Sequence, residues 1–118
     1  LWARSGVPRN RIRRDLEVQF GYETSTSVED LQKTYEYNET CQRTVPEAFR
    51  CFYEATDFED AIRNAISIGG DSDTVAAISG SLAEAKWGVP EEIAREALGR
   101  LDRHLGEIYQ RFVARVAG

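Results

Sequence analysis

Gly69-Gly70-Asp71-Ser72-Asp73-Thr74 is the stretch of this sequence whose residue types can do chemistry. Two carboxylates and a hydroxyl follow a glycine pair and precede a run of small residues from Val75 to Ala85. Hard divalent cations take oxygen ligands of this kind and fill the remaining positions with water. Asp71 and Asp73 are two apart, a spacing that separates side chains on a helix but aligns them in extended backbone. The spacing predicts both carboxylates projecting from an extended approach to a helix, with Thr74 close behind. Helix capping is the competing reading, because Asp, Ser and Thr are favoured N-caps and acidic groups suit a helix N-terminus. One cap needs one such residue, and Asp71, Asp73 and Thr74 alone make three. The small residues also predict a helix deep in a bundle, where a carboxylate pair is costly without a counter-charge. The balance favours a metal turn at Asp71, Asp73 and Thr74. Gly69 and Gly70 either open the backbone to a ligand or metal shell, or make a tight turn between helices.

Positioning such a turn takes a core, and 118 residues allow one of modest size. A formal charge of −5 offers no basic excess for neutralising phosphates, so nucleic acid is not an expected partner. No apolar run is long enough to span a bilayer and no secretory signal opens the chain, so neither a membrane nor export is expected. Cys41 and Cys51 lack C-x-x-C or histidine partners and read as two reduced thiols of a cytoplasmic protein. His104 is the only histidine, which excludes a His-rich metal site and an ordinary Ser-His-Asp triad.

Along the chain, nearly every segment reads as helix. Leu1-Trp2-Ala3-Arg4 resembles the tail of a helix already under way, broken by Gly6 and Pro8. Ile12, Leu16 and Phe20 give the next helix an apolar face ending at Gly21, while Arg9, Arg11, Arg13 and Arg14 read as solvated. Ser27 caps a short helix. Tyr35 to Gln42 reads as irregular, its tyrosines packing over the core or bordering a cleft. Thr44-Val45-Pro46-Glu47 predicts a helix start, with Val45, Ala48, Phe49 and Phe52 inward. Asp57 begins a helix with Phe58, Ala61, Ile62, Ala65 and Ile66 on its apolar face. The central helix stops near Trp87-Gly88, and Pro90 restarts the chain with a short helix. Leu98, Leu101, Leu105, Ile108, Tyr109, Phe112, Val113 and Val116 predict one long amphipathic helix. With no strand pair, repeat or linker in view, the fold class is all-α, one part of a compact helical domain.

The run from Cys41 to Pro90 resembles the C-terminal part of the ADP-ribosylglycohydrolase family, of the dinitrogenase-reductase-activating glycohydrolase type. Cys41-Gln42, Thr44-Val45-Pro46-Glu47-Ala48, the string from Asp57 to Ala65, the Gly69 to Thr74 turn and Gly88-Val89-Pro90 carry the likeness. Gly21-Tyr22 and Leu101-Asp102 extend it loosely over nearly the whole chain. Arg43 stands where the family commonly has glycine, and Lys86-Trp87 where it often has two tyrosines.

The resemblance implies an all-α hydrolase with two magnesium ions in a cleft, manganese being an alternative, that cleaves the glycosidic bond between ADP-ribose and an acceptor. Asp71, Asp73 and Thr74 match the family's metal ligands, Asp73 contacting both ions, and Gly69 and Gly70 stand at the substrate's edge. The other ligands and a catalytic glutamate are expected in an N-terminal half that residues 1–118 do not contain, so no catalytic residue is assigned within them. The expected partners are an ADP-ribosylated protein or small ADP-ribose conjugate, together with that missing half or another chain. The absence of methionine fits part of a larger protein. A half-domain also predicts a large apolar patch on one flank of the central helix. The second class of function is a non-catalytic structural or interaction module on the same scaffold, as in related lens crystallins.

Overall fold

The computed structural model describes residues 1–37 and 40–117. These form α1 (Arg9–Phe20), α2 (Val28–Thr34), α3 (Cys41–Glu54), α4 (Phe58–Ile68), α5 (Ser72–Trp87), α6 (Glu91–Gly99) and α7 (Arg103–Ala117). No strand occurs among the described residues, so the fold is all-α as expected. None of these helices is long and apolar enough to cross a membrane. The chain divides into two compact units, Leu1–Gly88 and Val89–Gly118.

In the first unit, α3, α4 and α5 pack against one another, α2 lies on α3 and α4, and α1 on α3. Their shared core holds Val28, Leu31, Ala48, Cys51, Ala65, Ile68 and Val75. Local chemistry fixes α4. Asp57 accepts from the Asp60 N–H at 2.8 Å, and Asp60 accepts in return from the Thr56 N–H at 2.9 Å. Asp57→Ala is therefore expected to cost about 1 kcal/mol, read as a lower urea midpoint at unchanged slope. A variant as stable as the parent would show that the cap is idle.

Small residues let α5 approach α4 closely. A Cβ at Gly80 would stand 2.9 Å from Ile62 Cδ1. Only one face of α5 is buried, by Val75, Ser79, Gly80 and Ala83, so the helix lies less deep than its small residues suggested. Ala77 and Ser81 are exposed, and an open apolar hollow of about 340 Å³ lies beside Leu82 and Ala85 on one flank of the helix.

Several boundaries differ from the sequence reading. Residues 1–5 form a single turn, closed by the Ser5 N–H on the Leu1 carbonyl and stopped by Gly6 at φ 79°. Phe20 is exposed in the last turn of α1, which ends as expected at left-handed Gly21. Helix α3 begins at Cys41 rather than Thr44, because the Thr40 carbonyl already accepts the Arg43 and Thr44 N–H groups. Pro46 then sits inside the helix, where the bond it lacks would have reached the Gln42 carbonyl. Asn38 and Glu39 of the segment expected to be irregular lie outside the described residues. Ile66 is exposed and Ile68 buried at the end of α4.

Arg9 is the largest departure from the expected solvated basic face. Its Nη1 donates to the carbonyls of Phe52, Tyr53 and Ala55 at the C-terminus of α3, and its guanidinium lies 5.1 Å from the Trp87 ring centroid. A cation suits that helix end, where carbonyls lack partners. Glu17 joins α1 to its following loop. Its carboxyl accepts from the Thr24 hydroxyl and from Arg13, and these bonds hold it below the usual carboxylate range.

The second unit contains α6 and α7. The single long helix read from the leucines is broken here, since α6 ends at Gly99 and Asp102 accepts from the Leu105 N–H at 2.8 Å to start α7. Neither helix buries a residue, and α7 carries an exposed stripe that includes Leu105, Phe112 and Val116.

Candidate functional site

The acidic turn lies between the two helices that pack on each other most extensively, α4 and α5. Gly69 and Gly70 both have left-handed backbones, φ 85° and 65°, a region that favours glycine and reverses the chain within two residues. A tight turn is thus part of what the glycines do. Around Gly69 nothing lies within 4 Å of the place a Cβ would take, whereas at Gly70 that place is filled by the Tyr35 ring.

Asp71 is the N-cap of α5, its carbonyl accepting the Val75 N–H at 3.1 Å, yet its side chain makes no capping bond. Asp73 and Thr74 are already in the first helical turn and exposed. The expected extended approach is therefore corrected. Residues 71 and 73 are not alternate positions of a strand, and the argument from burial cost does not apply to an exposed Asp73. The carboxyls meet for another reason: Asp71, at φ −78° and ψ 60°, stands just outside the helix. Hydrogen bonding with the Asp71 carboxyl holds Asp73 below the usual carboxylate range, helped by the Thr74 N–H, which donates to Asp73 Oδ1 at 3.0 Å.

Asp71 and Thr74 line an open hollow of about 420 Å³ with Ile78 of α5, Cys41, Thr44 and Val45 of α3, and Tyr37. Of the sequence-predicted ligands, Asp71 and Thr74 line this hollow and Asp73 does not. Both readings of the tyrosines hold, with Tyr35 packed on the core and Tyr37 at the hollow. The wall from α3 was hidden from sequence, because the helix start was read too late to place Cys41 on it. A second hollow, of about 270 Å³, is lined by Tyr35, Arg43 and Glu47 among others, and burial pushes the Glu47 carboxyl up while Arg43 opposes the shift.

Asp71, whose side chain makes no capping bond, Asp73 and the Thr74 hydroxyl match the oxygen donors a hard cation takes. No group of three or more His, Cys, Asp or Glu with metal-binding proximity occurs among the described residues. The thiols are both free. Cys41 is exposed, while burial, reinforced by the Glu54 charge, pushes the Cys51 thiol up to about 12. A thiolate-selective reagent should label Cys41 alone in the native chain and Cys51 only after unfolding. Two equivalents taken up natively would contradict this burial.

A family model described as ADP-ribosylglycohydrolase matches residues 2–117. An uncharacterized protein of Archaeoglobus fulgidus is 37% identical over 75 residues, an alignment that takes in 58% of this chain and 25% of the relative. The match thus spans about a quarter of that relative's length. No solved structure matches. The family match runs from residue 2 to residue 117 over a fold that is helical wherever it is regular, and the chain belongs to the ADP-ribosylglycohydrolase family.

Proposed function

We propose that this chain supplies the metal-binding turn of a magnesium-dependent ADP-ribosyl hydrolase, which cleaves the glycosidic bond between ADP-ribose and a protein or small-molecule acceptor. The observation that carries the reading is that Asp71 and Thr74 line an open hollow, with Asp73 between them in the first turn of α5. Two carboxyls that interact favour either a proton between them or a cation. Asp71, Asp73 and Thr74 would hold the metal, magnesium or in its place manganese. Bound there, the metal supplies charge stabilisation and a water of lowered pKa for a reaction that builds positive charge on the sugar. The residues of the turn bind and orient, while the walls from α3 and α5 restrict the approach. The catalytic residue and the remaining ligands belong, on this reading, to a further polypeptide segment.

The incomplete ligand set favours a second reading, a non-catalytic module on the same scaffold. Release of ADP-ribose from an ADP-ribosylated protein separates the two. A hydrolase lacking its Gly-Gly-Asp-Ser-Asp-Thr turn should regain magnesium-dependent release when this chain is added or fused. No release under any of these conditions would favour the module.

A further inference from the structure

We propose that Tyr35 is a positioning residue for the acidic turn, its ring bracing Gly70 so that the Asp71 carboxyl stays against that of Asp73. Tyr35 follows α2 directly and is fixed there by its own N–H on the Leu31 carbonyl at 2.8 Å. Its side chain packs on the core cluster that includes Leu31, Ile68 and Val75. From that base the ring reaches Gly70 so closely that a Cβ there would lie 2.1 Å from Cε1 and 2.9 Å from Cδ1. A positive φ alone explains a glycine at position 70; the ring is a second and independent reason. The Tyr35 hydroxyl is buried beside the Asp71 backbone, and burial together with the Glu47 charge pushes it up. The atoms that fill the space beside Gly70 are ring carbons, so the brace is assigned to the ring rather than to the oxygen. The brace thus joins the core to the one backbone segment that sets where Asp71 points.

Nuclear relaxation on the metal-free chain tests the brace without needing metal or turnover. The wild-type amides of Gly70 to Asp73 should be as rigid as helix, with order parameters of about 0.85, and the ring should give cross-relaxation to the Gly70 α-protons. Tyr35→Phe keeps the ring and should leave both signals unchanged. Tyr35→Leu should drop the turn below about 0.6. Phe58→Leu, a core change at the opposite end of α4, should lower the melting temperature yet leave the turn rigid. Should Tyr35→Leu not fold, the wild-type contact and Gly70→Ala decide, since the added methyl must displace the ring and mobilise Asp71. A mobile wild-type turn, missing ring contact, a rigid turn in Tyr35→Leu or Gly70→Ala, or equal loosening by Phe58→Leu would each overturn the brace. Titration with manganese reads its consequence, which rests on the metal reading: broadening at Asp71 to Thr74 should need at least about tenfold more ion in Tyr35→Leu, a loss of the size caused by removing support behind a ligand. If the wild-type turn never broadens while the relaxation results hold, the metal reading fails and the brace stands.

Discussion

Asp73→Asn is expected to abolish the response of the turn to magnesium while the helical fold persists. The side chain is exposed in the first turn of α5, and its bond from the Thr74 N–H can be kept by the asparagine oxygen. What disappears is the Asp73 carboxylate, and with it the hydrogen bonding with Asp71 that holds Asp73 below the usual carboxylate range. Magnesium binds such sites through carboxylates and dehydrates reluctantly, so an amide is a poor substitute. We expect affinity to fall at least about tenfold and hydrolysis by a reconstituted enzyme about 100-fold or more, effects at or beyond those of losing a residue that supports a ligand. Asp57→Asn, which alters a cap on another helix, should leave the magnesium response intact. Titration calorimetry on the two variants decides. Equal binding by Asp73→Asn and the parent would remove Asp73 from the ligand set.

How far the sequence revealed this site depends on how local each signal was. Asp57, Ser27 and Gly21 mark helix ends through bonds within a few residues, and all three were legible. The turn was legible too, but for a partly mistaken reason, since the carboxyls meet across a helix start and not along a strand. Arg9 was not legible as a clamp. Its partners lie 43 to 46 residues away, and nothing in a run of arginines says which one crosses to a helix end. The start of α3 was missed because Thr44 and Glu47 imitate a capping box, whereas the Thr40 carbonyl collects the first bonds. Gly70 shows the same limit. Sequence suggests a glycine turn, but only the fold brings the Tyr35 ring, 35 residues earlier, into the space that glycine leaves.

The chain by itself should show no hydrolase activity above background, and a partner segment bearing the other ligands should restore it. Two divalent ions bring twice the charge that Asp71 and Asp73 can offset, and magnesium asks for near-octahedral oxygen geometry around each ion. Thr74 adds one neutral oxygen. Among the described residues no further acidic cluster stands ready to complete the shells. Glu47, whose carboxyl is pushed up by burial, lines a different hollow from Asp71 and Thr74. On the proposed reading, the attacking water and the departing acceptor would both lack activation without the remaining ligands and an acid. A magnesium-dependent gain of at least about 1,000-fold on adding the partner is modest beside the acceleration enzymes reach, and readily measured as released ADP-ribose. Turnover by the purified chain alone would contradict the ligand count. If that turnover rose with the square of chain concentration, a second copy would be lending its acidic turn; if it rose linearly, a single chain would hold a complete site that the pairing of Asp71 and Asp73 does not explain.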